Sequence, residues 1–402
     1  LYHRFQIGQL MKEPVARLNI DDSMDVVLLT LDKTQAWTLP VVDTEGTFMG
    51  FIRKSHVLTL YRKTLADLSD ELKHKDMKKK EDLRIVYMGT PEFAVESLKC
   101  LVEGGYNVVG VVTMPDKPMG RHQDVLQASP VKQYAVEHGL RILQPVKLKD
   151  ETFVEELRSL RADLQIVVAF RMLPEVVWNM PPMGTFNLHA SLLPQYRGAA
   201  PINWAVINGE TETGITTFFL KHEIDTGEVI QQVRIPIADT DNVGVVHDKL
   251  MELGGRLVVE TVDHILADAV RPIPQETMAV EGPLHPAPKI FKETCRMDWQ
   301  GKTLKQLYDF VRGLSPYPAA WSEMKDEATG KVYTLKIYET EKEPCACHEP
   351  AGTVASDGKT YLKVAVDGGY LRLKEIQLTG KKRMRTEDFL RGFRMPENLL
   401  ML

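Results

Sequence analysis

"LRIVYMGTPEFAVESL", Leu83 to Leu98, sets the fold class. A short run rich in Val and Ile stops at Gly-Thr-Pro and resumes with apolar residues at helical spacing, so the text reads strand, turn, helix. The same kind of strand run recurs in "YNVVGVVTMPD" (Tyr106 to Asp116), "LQIVVAF" (Leu164 to Phe170), "GTFNLHAS" (Gly184 to Ser191) and "GITTFFL" (Gly214 to Leu220). Amphipathic helices lie between the first several. Apolar runs separated by helices imply an α/β domain with a mainly parallel sheet, covered by helices on both faces. "VGVVHDKLMELGGRLVVETVDHILAD" (Val243 to Asp268) closes it as one long helix.

Outward from this core the chain changes character. Residues 1–62 alternate short apolar runs with one helical pattern, "SMDVVLLTLDKT", for which Ser23 is the expected N-cap. Residues 63–82 are densely charged and read as a solvated helix or linker, with Met77 just ahead of the first clear strand. Residues 269–289, "AVRPIPQETMAVEGPLHPAPK", are Pro-rich and aperiodic and read as an interdomain linker. Residues 290–402 open with a helix at "TLKQLYDFVRGL" and continue as alternating segments with Gly turns, the pattern of a small antiparallel barrel or sandwich.

At 402 residues the chain has room for two or three domains, and its 26% charged content is that of an ordinary globular protein. A net charge of -5 gives no global attraction to nucleic acid, so any RNA contact must come from local basic patches. No apolar run approaches the roughly 18 residues of a membrane span. With four cysteines there is no disulfide scaffold, which fits a reducing cytoplasm. Cys345, Cys347 and His348 in "PCACHEP" sit too close together for the usual zinc spacing, and no second ligand cluster follows, so no metal is expected.

The chemistry concentrates at Asn187 and His189. Residues i and i+2 of a strand share a face, and ligands of open parallel sheets bind beyond the strands' carboxyl ends. An amide NH2 and an imidazole N–H converging there could form an oxyanion hole. Asp225, in "KHEIDTGEV" at the exit of the next strand, would aim a carboxylate back over the same edge, holding the imidazole's tautomer and tuning it for proton transfer. Asn-x-His pairs and Asp-Thr-Gly turns are also common structural features, so spacing alone leaves both readings open.

The motifs taken together resemble the methionyl-tRNA formyltransferases: "VYMGTPEFAVESL", "PDKPMGR", "SPVK", "NLHASLLPQYRGAAPINW", "IDTGEVI", "GLSPYPAAW" and "GKKRM" occur in order across about residues 77–402. The resemblance implies a Rossmann-like formyltransferase domain (83–268) followed by a tRNA-binding barrel resembling an oligonucleotide-binding fold (290–402). It implies formyl transfer from 10-formyltetrahydrofolate to the α-amino group of methionine on initiator tRNA. Carried over by position, Asn187 and His189 would bind the oxyanion and Asp225 would orient His189. Ser191, Leu192, Leu193 and Pro194 would form the folate-binding loop, and Phe170, Met172 and Leu173 part of the pterin pocket. Arg121 would approach the acceptor end of tRNA, although His122, Gln123 and Asp124 follow it where several relatives carry Lys. Lys381, Lys382 and Arg383, with Arg385, would contact RNA phosphates. Arg197 could contact RNA or brace its loop, and bracing is the reading favoured. No membrane partner is expected, and a monomer is.

"DDSMDVVLLTLDKTQAWTLPVVDTEGTFMGFIRKSHVLTLYRK" (Asp21 to Lys63) resembles a single CBS motif of the kind found in chloride-channel tails, but Arg53 stands where the motif has a hydroxyl residue and His56 where it has the acidic residue that would contact ribose, which argues against nucleotide sensing. It reads as an unpaired interaction module, a dimerisation module or a fused upstream reading frame. Two rival functions follow. A sugar-nucleotide formyltransferase shares Asn, His and Asp, although "RGAAPI" and "SPVK" favour the tRNA enzyme. A CBS-type regulatory nucleotide-binding protein would perform no transfer.

Overall fold

The structure, a computed structural model, describes residues 12–57, 59–60, 78–119, 125–280, 282–396 and 398–402. Most of the charged stretch 63–82 and the loop carrying Arg121 lie outside them. The chain divides into two compact units, Leu1–Met77 and Lys78–Leu402.

The first unit carries strands β1 (Leu18–Asn19), β2 (Thr38–Val42) and β3 (Phe48–Arg53) and helix α1 (Met24–Thr34). β1 runs parallel to β2, and β2 antiparallel to β3. α1 lays Val27 and Leu31 into a small core with Leu18, Leu39 and Val57. Ser23 stands at the N-cap in extended conformation, but its side chain makes no capping hydrogen bond.

In the second unit β4 (Ile85–Gly89) leads through α2 (Phe93–Glu103) to β5 (Val108–Val112). After the hairpin β6 (Lys117–Met119) and β7 (Val125–Gln127) come α3 (Pro130–Glu137), β8 (Ile142–Leu143) and α4 (Glu151–Ser159). Then follow β9 (Leu164–Val168), α5 (Glu175–Trp178), β10 (Thr185–His189), α6 (Pro201–Ile207), β11 (Glu212–Phe219), β12 (Val229–Pro236) and α7 (Val243–Leu266). The sheet order is β12-β11-β10-β9-β4-β5-β8. Every residue of β4 and β9 is buried, which is why these strands read as unbroken apolar runs. Pairings from β8 through β10 are parallel, whereas β10–β11 and β11–β12 are antiparallel. The run "GITTFFL" is therefore a strand of reversed direction, a property that an apolar run cannot encode. Strand order turns between β4 and β9, and a ligand crevice belongs at such a switch. α7 approaches closely through Gly254, where an added Cβ would come 2.8 Å from Leu188 Cδ2.

The last portion begins with α8 (Leu304–Leu314), whose Thr303 and Gln306 form a reciprocal capping box. Strands β13 (Ala320–Asp326), β14 (Val332–Pro344), β15 (Val354–Ser356), β16 (Leu362–Val366), β17 (Gly369–Leu378), β18 (Met384–Arg385) and β19 (Leu399–Met401) follow, with α9 (Thr386–Gly392) before the last. The order β15-β16-β17-β14-β13-β19 closes on itself: Met401 N–H donates to Gly352 O at 2.8 Å beside a Thr353–Leu400 bridge. This is a barrel, with α8 burying Leu304, Leu307, Val311 and Leu314 in its core.

Residues 269–289, the expected interdomain linker, are fastened along their length. They form a strap along the α/β sheet's loops: Val229 pairs with Ile273, Tyr196 N–H donates to His285 O at 2.8 Å, and Ala287 N–H donates to Arg197 O at 2.8 Å. The barrel helix is also fastened to the α/β domain. Asn203 Nδ2 donates to Gly313 O at 2.9 Å, and the buried Arg312 bridges Asp309 Oδ1 at 2.8 Å and Asp241 O at 2.9 Å.

Candidate active site

A cavity of about 1110 Å³ opens where β9, β10 and β11 end. Asn187 and His189 both line it, as their shared face on β10 requires. Leu188, between them, points into the hydrophobic core against α7.

His189 is 6% exposed, and its Nε2 lies 2.9 Å from Tyr196 O. A carbonyl oxygen only accepts, so Nε2 carries the proton in this contact. Nδ1 is left facing Asp225 Oδ2 at 3.9 Å. In the neutral ring that atom is a lone pair; only the imidazolium presents an N–H there. The Asn187 amide lines the cavity and makes no hydrogen bond to another described residue, so its N–H groups are available to a ligand there. His189 adds a second donor only when protonated.

Asp225 is held from two sides. Its Oδ2 accepts from Gly198 N–H at 3.0 Å, and its backbone adopts φ +55° in the Asp-Thr-Gly turn. Gly227 is obligatory in that turn, because a Cβ would fall 1.6 Å from Phe219 O. The second anchor is Gln275, only 1% exposed, within the strap. Its Nε2 donates to Asp225 O at 2.8 Å and Gly227 O at 2.7 Å, while its Oε1 accepts from Arg197 Nη2 at 2.6 Å and Nε at 3.0 Å. Arg197 is thus tied to the strap through Gln275. Gln275 was not among the sequence candidates, and nothing local to its Pro-rich surroundings marks it.

Phe170, Met172 and Leu173 line the cavity, together with Trp178. Ser191, Leu192, Leu193 and Pro194, the expected folate loop, follow directly on the lining residues His189 and Ala190. Thr216 Oγ1 donates to Ser191 O and Gln232 Nε2 to Leu193 O, each at 2.7 Å, turning the segment back against β11 and β12. Leu193 is 1% exposed and packs with Phe218 and Val229. These residues support the exit of β10 from behind.

Arg121 lies outside the described residues. The base of its hairpin is well fastened: Lys132 Nζ meets Asp116 Oδ2 at 2.6 Å, Gln144 Nε2 donates to Asp116 Oδ1 at 2.8 Å, and Ser129 caps α3. The Lys132 ammonium holds the Asp116 carboxyl below the usual carboxylate range. In the basic turn Lys381 and Lys382 are exposed and form no ion pair with described residues. Arg383, by contrast, pairs with Glu375 at 2.6 Å and lies over the Tyr338 ring, and Arg385 pairs with Glu339 at 2.7 Å. Among the described residues no group of three His, Cys, Asp or Glu could hold a metal ion, and no helix is long and apolar enough to cross a membrane.

Two family models match this chain: formyl transferase over residues 83–262, and the formyl transferase C-terminal domain over 289–394. The methionyl-tRNA formyltransferase of Bacteroides fragilis is 69% identical over 323 residues, 80% of this chain and 99% of its own length. That of Phocaeicola vulgatus is 72% identical over 320 residues, 79% and 98%. The chain belongs to the methionyl-tRNA formyltransferase family. Family membership accounts for the order of the motifs and for an α/β formyltransferase domain followed by a barrel. Among solved structures, the N-formyltransferase from Helicobacter canadensis shares the fold with a TM-score of 0.53 at 17% identity, over 72% of this chain and 98% of its own. HypX from Aquifex aeolicus, in complex with tetrahydrofolic acid, does so with a TM-score of 0.51 at 17% identity, over 77% of this chain and 47% of its own. The family matches lie within residues 83–394, and the CBS-like reading of residues 1–62 finds no counterpart among them.

Proposed function

We propose that this chain transfers the formyl group of 10-formyltetrahydrofolate to the α-amino group of methionine on initiator tRNA, acting in translation initiation in the cytoplasm. The observation that carries this reading is an unengaged Asn187 amide beside a His189 whose Nδ1 faces Asp225 at 3.9 Å, all on the wall of one cavity. Relatives at 69–72% identity bear the name methionyl-tRNA formyltransferase, which supports the same acceptor.

The folate supplies a formyl group on a nitrogen able to leave. The neutral methionine amine attacks the formyl carbon; that N–C bond forms as the C–N bond to the folate breaks. His189 Nδ1 takes the amine's proton and returns it to the departing nitrogen, so the ring ends neutral. Asp225 stabilises the transient imidazolium. Asn187 Nδ2–H donates to the formyl oxygen as negative charge grows, worth about 2.7–4 kcal/mol for one such donor. The scheme needs neither a side-chain nucleophile nor a metal, since the substrate amine attacks directly and the barrier falls through positioning and charge stabilisation.

Phe170, Met172 and Leu173 suit the pterin as an apolar wall, and Ser191–Pro194 act behind it. Both substrates must meet in the cavity of about 1110 Å³. Arg121, Lys381, Lys382 and Arg383 are proposed to hold the tRNA backbone. Residues 83–268 are taken as the catalytic domain and 290–402 as the tRNA-binding barrel, in a monomer.

The test is a formylation assay with the purified chain, 10-formyltetrahydrofolate and methionyl initiator tRNA, with a UDP-amino-sugar in parallel and Asn187→Ala as control. Formyl-methionine that is lost in the variant supports the reading. Formylation of the sugar alone transfers the mechanism to the rival acceptor, and no transfer to either overturns it.

A further inference from the structure

The cavity has two lobes of different make. On one side Phe170, Met172 and Leu173 lie near Trp178, whose ring meets His222 edge-on at 5.6 Å. The other side is assembled from Phe93, the start of α7 and the segment that follows α8. There Phe93 meets His247 edge-on at 5.2 Å, and Gly244 seats Pro316 so closely that an added Cβ would come 2.7 Å from its Cδ. Tyr317, next in the chain, lines this second lobe while belonging to the C-terminal portion. It is 83% exposed, against 6% for His189, so its ring stands at the mouth and the reacting centre lies deep.

We infer that Tyr317 is the stacking platform for the 3′-terminal base of the acceptor RNA. This deepens the formyl-transfer reading and rests on it. The ring's position at the mouth decides what it meets: the methionyl group must reach inward to His189, and the nucleoside that carries it remains outside. The backbone is prepared for the task, because Pro316 has a fixed φ and Pro318 confines Tyr317 to extended conformations. Unpaired bases stack on such rings without regard to their hydrogen-bonding edges. Glu92 and Asp248, next in the chain to Phe93 and His247, also line the cavity. Their charge repels a phosphate and accepts hydrogen bonds from ribose hydroxyl or base amino groups. The lobe thus admits an uncharged nucleoside end and leaves the phosphates to the basic surfaces outside.

Tyr317→Ala and Tyr317→Trp in the full chain test this, with the Michaelis constants for methionyl-tRNA and for the folate measured separately. Stacking of one base predicts a rise of about 10- to 100-fold in the tRNA constant for Tyr317→Ala. The folate constant stays unchanged, and Tyr317→Trp keeps wild-type behaviour. A short CCA-ended oligonucleotide without methionine supplies the second readout: it inhibits the wild type and loses potency against Tyr317→Ala by a similar factor. Unchanged tRNA constants, or a folate constant that rises in parallel, overturn the inference. A tRNA effect with unchanged oligonucleotide inhibition also overturns it, assigning Tyr317 to the methionyl side chain instead. Failure of the wild type to formylate methionyl-tRNA is a distinct result, which removes the parent reading and this one with it.

Discussion

Gln275 donates its side-chain amide to the backbone carbonyl of Asp225 at 2.8 Å, joining the strap between the domains to the carboxylate that faces His189. The same side chain receives Arg197, 78 residues earlier in the chain. All of its hydrogen-bonding capacity toward the two loops is used, and it is buried. With Gly198 N–H on the carboxylate itself, Gln275 on the backbone sets where Asp225 stands relative to His189.

Replacing Gln275 by Leu leaves the Arg197 guanidinium and two carbonyls without partners. Each buried group left unsatisfied costs about 1–3 kcal/mol, and a displacement near 1 Å in a catalytic group lowers the rate about 100-fold. The expected outcome is a lower melting temperature and a kcat reduced about 100-fold, with a nearly unchanged Michaelis constant for the folate. Steady-state kinetics beside thermal melting checks this; an undiminished kcat means that Asp225 is held by Gly198 alone.

Asn187→Ala removes the proposed oxyanion donor. Loss of one oxyanion donor lowers kcat by about 100- to 1,000-fold with little effect on substrate binding. A variant with near-normal kcat and a raised Michaelis constant would show Asn187 to be a binding group.

The basic turn separates into free and engaged cations. Substituting both Lys381 and Lys382 by Ala removes the two proposed phosphate partners, so the slope of log affinity for tRNA against log salt is expected to flatten by about 1.4 to 1.8. Arg383→Ala flattens it less, because Glu375 already neutralises that guanidinium at 2.6 Å. Equal slopes for the double variant and the wild type would remove this turn from the RNA interface.

Asp239 and Lys342, 2.8 Å apart, tie the α/β domain to the barrel, and the ammonium holds the Asp239 carboxyl below its ordinary value. A group whose folded pKa is depressed contributes stability above its unfolded pKa, near about 4, and loses it as pH falls through the lower folded value. Asp239→Asn is therefore expected to be slightly less stable at neutral pH, and its melting temperature to fall less steeply on acidification. Parallel curves for variant and wild type from about pH 5 to 3 would show the pair to be unimportant.

Much of this site was legible before any coordinates. Asn187 and His189 were paired by the two-residue period of a strand, and Asp225 by a turn motif at a strand exit. Phe170, Met172 and Leu173 were placed by motif and do line the cavity. Ser191 to Pro194, placed the same way, follow directly on the lining residues His189 and Ala190, and contacts with β11 and β12 turn them inward. β12 and β13 were not read, since a half-exposed edge strand such as "VIQQVRIP" and the mixed run "AWSEMKD" carry weak apolar signals. Gln275 sits in an aperiodic stretch, and its role exists only through partners far away in the chain.

The sequence by itself determined the α/β class, the barrel that follows it and the face of β10 that carries the chemistry, because these depend on apolar periodicity and local turn residues. Tertiary structure alone decided the direction of β11, the tautomer of His189 through Tyr196 O, the strap that holds Asp225, and the presence of Tyr317 at the cavity mouth. Each of these rests on a hydrogen bond or contact between segments distant in the chain. Such partners are chosen by the geometry of the assembled sheet and leave no period in the residues that make them.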